Sequence, residues 1–123
     1  MPRMFTTLLY VQVRVDRMTV RNVSKGIAAE RAAQPPFSHK RSLVGDFTAA
    51  ERLLKALVKE VQQGLVLSVS IVIHPMERIE GGLSQIEERA LRELTIGAGA
   101  ARVAVWVGDA LTDEEVAGKL KES

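Results

Sequence analysis

LVLSVSIVI, Leu65 to Ile73, is the stretch whose reading decides the fold. Only Ser68 and Ser70 interrupt a run of leucine, valine and isoleucine. A strand with one wet face alternates polar and apolar residues, whereas this one has almost nothing to offer water, so it reads as a central strand covered on both faces. Such cover comes from helices, and a sheet clad in helices accepts parallel neighbours. His74-Pro75 is expected to end the strand.

Upstream, the period is helical from Asp46. Phe47, Ala50, Leu53, Leu54, Leu57, Val58 and Val61 share one face, with Asp46 or Thr48 as N-cap and Gly64 as the stop. Before that helix, Arg31 to Ser42 (RAAQPPFSHKRS) holds the adjacent Pro35 and Pro36 and reads as a loop. Three strand-like segments open the chain: Thr6 to Val15, Met18 to Val23, and a weaker one from Ile27 to Glu30 after the Lys25-Gly26 turn. In the first, Val11, Val13 and Val15 alternate with Gln12 and Arg14, and the short connections predict antiparallel hairpins.

Downstream, a polar loop with Gly81-Gly82 leads to Ser84-Gln85-Ile86-Glu87, a capping-box signature that opens a helix running to about Ala98. Ala101 to Val107 (ARVAVWV) is a second buried strand, and Thr112-Asp113-Glu114-Glu115 caps a last short helix. That helix offers only Val116 and Leu120 as apolar residues and is expected to fray. The order βββαβαβα, with right-handed crossovers, predicts a single α/β domain, a five-stranded mixed sheet of order 3-2-1-4-5 flanked by helices. The reversal between the first and fourth strands marks the crevice where open α/β sheets bind ligands.

Composition narrows the function classes. The 123 residues carry no cysteine, which excludes disulfides, thiolate metal sites and cysteine nucleophiles and fits a reducing cytoplasm, the expected location. Seventeen basic against 15 acidic residues leave a net charge of only +2, and the densest basic stretch, His39-Lys40-Arg41, is short, so nucleic-acid binding is not expected. The N-terminal apolar residues alternate with polar ones, so no signal peptide or membrane span is expected.

Two segments carry a resemblance. Ile86 to Asp109 (IEERALRELTIGAGAARVAVWVGD) runs from a helix with Glu88, Arg89, Ala90, Arg92 and Glu93 through Gly97-Ala98-Gly99-Ala100 into a buried strand, and Gly45 to Val61 places an Asp-Phe pair before the first helix. Both resemble the first-lobe core subdomain of the bacterial actin-like, rod-shape-determining MreB family. The resemblance implies a ribonuclease-H-like, actin-like fold. It also implies an ATP site, with an acidic, glycine-containing phosphate loop, Asp-hydrophobic-Gly-Thr, in the first hairpin.

Here the corresponding region reads Val13-Arg14-Val15-Asp16-Arg17-Met18, with neither glycine nor threonine. Without glycine the backbone does not approach a phosphate in the same way, and Asp16 is the one candidate remnant of a metal-orienting carboxylate. The chain also ends at Ser123, before the positions of the family's second phosphate loop and second lobe. Loss of ATP binding and hydrolysis is the expectation. The Gly97-Ala98-Gly99-Ala100 run follows a helix instead of opening one, so it is no phosphate cradle. Its expected role is close packing of the helix end on the sheet.

The candidate site is the loop His74-Pro75-Met76-Glu77-Arg78-Ile79-Glu80-Gly81-Gly82 at the switch point, with Asp16 and Arg17 of the first turn. It reads either as a partner- or ligand-binding loop acting through His74, Glu77 and Arg78, or as a polar connection in which His74 bonds backbone. Asp16, Glu77 and Asp109 could gather as a two-metal nuclease cluster, but such enzymes need a carboxylate within the first strand, where Val11, Gln12 and Val13 stand. Ser38, Ser42 and Ser84 have no patterned base, and Tyr10 and Trp106 are expected to pack. The expectation is a non-enzymatic protein without metal, cofactor or nucleotide, accessory or structural in cell shape, bound to a protein partner or to itself. The alternatives are a metal-dependent ribonuclease-H-like nuclease and a self-assembling actin-like module.

Overall fold

The computed structural model of the protein describes residues 6–38, 42–62, 66 and 68–122. Its elements are β1 (Thr6–Arg14), β2 (Arg17–Asn22), β3 (Ile27–Ala32), α1 (Phe47–Val61), β4 (Ser68–Pro75), α2 (Gln85–Gly97), β5 (Arg102–Val105) and α3 (Asp113–Glu122). They form the single five-stranded mixed sheet expected, in the order β3-β2-β1-β4-β5. β1 pairs antiparallel with β2 and parallel with β4, while β5 runs parallel to β4. Gly64, Leu65, Leu67 and the His39-Lys40-Arg41 triplet lie outside the described residues.

Side-chain alternation divides the core between the two faces of the sheet. Leu9, Val11 and Val13 of β1 and Val69, Ile71 and Ile73 of β4 pack with α1 and α2, joined by the fully buried Phe37 from the proline loop. On the other face, Tyr10, Val72 and Ala104 pack with Val116 and Leu120 of α3. The buried residues of β4 therefore serve both faces, which accounts for a nearly unbroken apolar run.

The helix starts follow their caps. Asp46, not Thr48, is the N-cap of α1, its side chain accepting from the Ala49 N–H at 3.0 Å. At α2 both halves of the Ser84–Glu87 capping box are made, at 3.1 and 3.0 Å.

Four details correct the sequence reading. β4 continues through His74 to Pro75, because a proline in the last strand position costs no ladder bond and the Met76 N–H still reaches the Val13 carbonyl at 2.9 Å. α1 stops at Val61 with Gln62, in extended backbone, as its C-cap. α3 is anchored where fraying was expected. Val116 and Leu120 are buried, Arg21 grips Asp113 through two bonds of 3.0 and 3.1 Å, and Arg102 Nη2 donates to the Leu120 carbonyl at 2.9 Å. Finally, the nearest neighbours of a Cβ on Gly97 would be the Glu51 side chain of α1, not the sheet, so the close approach at this glycine is of helix to helix.

Candidate functional site

The β1–β2 connection consists of Val15 and Asp16, between the paired Arg14 and Arg17. Asp16 has φ +51°, a left-handed conformation that aspartate tolerates better than most side chains. Its Oδ1 accepts from the Phe37 N–H at 2.9 Å and the Ser38 N–H at 2.6 Å, and its carbonyl accepts from the Ala33 N–H at 2.8 Å. Asp16 thus clamps the proline loop onto the turn, with Phe37 driven into the core as the loop's apolar anchor.

The turn's own backbone donors are also occupied. The Val15 N–H donates to Glu77 Oε2 at 2.6 Å, and the Asp16 N–H donates to Ser38 Oγ at 3.0 Å. The Ser38 hydroxyl in turn donates to the Leu43 carbonyl. A carboxylate and a hydroxyl of the protein itself therefore sit on two consecutive N–H groups at the carboxyl end of β1. Consecutive N–H groups of this kind are what a phosphate loop presents to an anion.

Beside this turn a cleft of about 80 Å³ opens between Leu43, Val44, Ile79, Leu83 and the first turns of α2. Ile86 lines it and is 82 % exposed, an unusual position for isoleucine. Arg78, at φ +59°, stands at the rim and donates through Nη1 to the Ser42 carbonyl at 3.4 Å.

The five sequence-selected residues separate into groups. Asp16 and Glu77 meet at the turn, with Arg78 beside them in the cleft. Arg17 extends along the sheet to pair with Glu30 at 3.2 Å. His74 belongs to the other face, buried within β4. Asp109 is exposed in the loop after β5, where its carbonyl accepts from Trp106 Nε1 at 2.8 Å, and among the described residues no three His, Asp or Glu side chains are grouped to hold a metal ion.

Both ring nitrogens of His74 are engaged. Nε2 lies 2.9 Å from the Gly108 carbonyl and Nδ1 lies 2.6 Å from the Tyr10 hydroxyl. A carbonyl only accepts, so Nε2 carries the hydrogen and the neutral ring accepts from Tyr10 at Nδ1. Burial pushes the imidazole below its ordinary value, the Gly108 bond raises it somewhat, and the Arg14 charge lowers it further.

The reading in which His74 bonds backbone matches its contact with the Gly108 carbonyl, but sequence reasoning missed Ser38 as a partner of the turn and Tyr10 as a partner of His74. Their partners stand between 22 and 64 positions apart, beyond any local pattern.

No protein-family model matches the chain. The uncharacterized protein YjaA of Escherichia coli (strain K12) is 34% identical over 99 residues, which cover 75% of this chain and 76% of YjaA. The crystal structure of ethanolamine utilization protein EutJ from Carboxydothermus hydrogenoformans matches 80% of the chain with a TM-score of 0.53 at 17% identity. The chain spans 35% of EutJ, and at that identity the two share a fold. The sheet order and helix placement are those of an actin-like domain, with nothing that singles out MreB among proteins of this fold. The domain has an actin-like fold, and by its identity and mutual coverage with YjaA the chain belongs to the YjaA family.

Proposed function

We propose that this protein is a non-enzymatic actin-like module that works without ATP, as an accessory or structural component contacting another protein or a second copy of itself. The observation that carries the reading is the occupancy of the first turn. Glu77 and Ser38 already satisfy the Val15 and Asp16 N–H groups. An incoming phosphate would have to displace a carboxylate from the first and would meet its negative charge, and no glycine lets the backbone come closer.

The cleft beside the turn supports a contact role. Its lining is chiefly apolar, and Ile86 presents its side chain to solvent at the rim. A place in cell shape is the finer part of the reading and rests on the MreB-like segment from Ile86 to Asp109. A cytoplasmic location accords with a composition free of cysteine.

Isothermal titration with Mg-ATP tests the central statement. No heat of binding is expected up to millimolar nucleotide, and saturable binding in the micromolar range would refute it.

A further inference from the structure

The Tyr10–His74–Gly108 chain lies on the face of the sheet opposite the cleft and has no part in the proposed function. It is a directional network in which every polar atom is already committed. The Tyr10 hydroxyl donates to His74 Nδ1 at 2.6 Å. Its oxygen then accepts from the Leu111 N–H at 3.1 Å and from Gln12 Nε2 at 3.3 Å, filling both lone pairs. His74 Nε2 donates to the Gly108 carbonyl at 2.9 Å. One imidazole thereby fastens both Gly108 and, through Tyr10, Leu111, the two ends of the segment that leads into α3.

That segment is shaped to this purpose. Gly108 has φ +151°, and a Cβ there would run into the Trp106 ring, so glycine is needed to bring its carbonyl over His74. The Trp106 ring stands edge-on to the imidazole at 6.4 Å between centroids, with Lys119 of α3 over it at 3.8 Å.

We propose that His74 is a proton-operated latch, holding the 108–111 segment on the sheet while its ring is neutral and releasing it when it takes up a proton. A proton on Nδ1 turns that atom from acceptor to donor. It must then donate to a Tyr10 oxygen whose lone pairs are filled, so the Leu111 or Gln12 bond is lost, and the Tyr10 O–H loses its acceptor.

The surrounding charges do not welcome that proton. Arg14 of β1 opposes it, Lys119 of α3 adds a second cation beyond Trp106, Asp113 of α3 is taken by Arg21 of β2, and Glu115 of α3 caps the Thr112 N–H at 2.8 Å. Asp109, on the segment itself, is exposed to solvent. Because the folded ring titrates below the unfolded value of about 6.5, its stabilising effect is complete above that pH and disappears as pH falls through the folded value.

The chain has one tryptophan and two histidines, so Trp106 fluorescence and the imidazole proton resonances of His74, assigned against His39→Gln, read the latch directly. Between pH 8 and pH 5 the Trp106 emission should change with a midpoint below about 6.5 that coincides with the His74 titration, while far-UV circular dichroism keeps the sheet. Across the same range the protection factor of the Leu111 amide should fall about tenfold for each pH unit that the folded value lies below the unfolded one. His74→Gln should abolish the fluorescence transition. Tyr10→Phe, which removes the donor to Nδ1, should raise the His74 midpoint and shrink the change, and it decides the matter if His74→Gln does not fold. A transition that persists unchanged in either variant would overturn the latch, as would a His74 titration at or above 6.5 with no response at Trp106.

Discussion

Replacing Asp16 asks whether the first turn is a structural clamp. Its carboxylate accepts two backbone N–H bonds, from Phe37 and Ser38, in a part-buried setting. Hydrogen bonds to charged groups contribute about 1.5–3 kcal/mol each, and partial exposure argues for the low end, so alanine should cost about 3 kcal/mol from the bonds. Alanine at φ +51° adds backbone strain of about 1 kcal/mol beyond what aspartate bears there. Glycine loses the same bonds and removes the strain, for a net cost of about 2 kcal/mol. Asparagine keeps an acceptor oxygen and tolerates the left-handed conformation, and should cost about 1 kcal/mol. Urea unfolding measures the series. At an m-value of about 1.5 kcal/mol/M the alanine midpoint should fall by more than about 2 M, with m unchanged. An alanine variant within about 0.5 kcal/mol of the parent, or a glycine variant less stable than the alanine one, would refute the clamp.

Two further substitutions probe the scaffold. Ser84→Ala breaks the α2 capping box and should lower stability by about 1 kcal/mol in the same unfolding assay, with Ser84→Asp nearly neutral. Val116→Asp sets an unpaired charge against Tyr10, Val72 and Ala104, so it should detach α3 and shift Trp106 emission to the red while far-UV circular dichroism keeps the sheet.

How legible the molecule was depends on the range of the interaction. Element order and strand order could be read because Leu53, Leu54, Leu57, Val58 and Val61 recur at helical spacing and Val69, Ile71, Val72 and Ile73 fill both faces of one strand. Ser84 and Glu87 announced their helix because the capping box is complete within four residues. The length of β4 was misjudged at His74-Pro75, where a strand-ending proline looks like a strand-breaking one until its neighbours are known. α3 looked too polar to hold, since Val116 and Leu120 are few, yet they pack on Tyr10, Val72 and Ala104, and Arg21 and Arg102, distant in sequence, bond the helix in place. At the candidate site, Asp16 and Glu77 were singled out by position, but what they do there is set by Phe37, Ser38 and Val15, which no local pattern links to them.

The β1–β4 ladder at the centre of the sheet bears on how the chain reaches this fold. Thr6 pairs with Ser68 and Val13 with Pro75, partners about 60 residues apart. The β1–β2–β3 meander is local and can form as soon as it is made, whereas the fourth strand, at about 5–20 residues per second of synthesis, is complete some 2–9 s later. During that interval the side of β1 that will meet β4 presents unpaired backbone groups flanked by Leu9, Val11 and Val13. Closing so long a loop makes this pairing a slow step of folding. The nascent chain is therefore most open to aggregation along β1, the middle strand of the finished sheet.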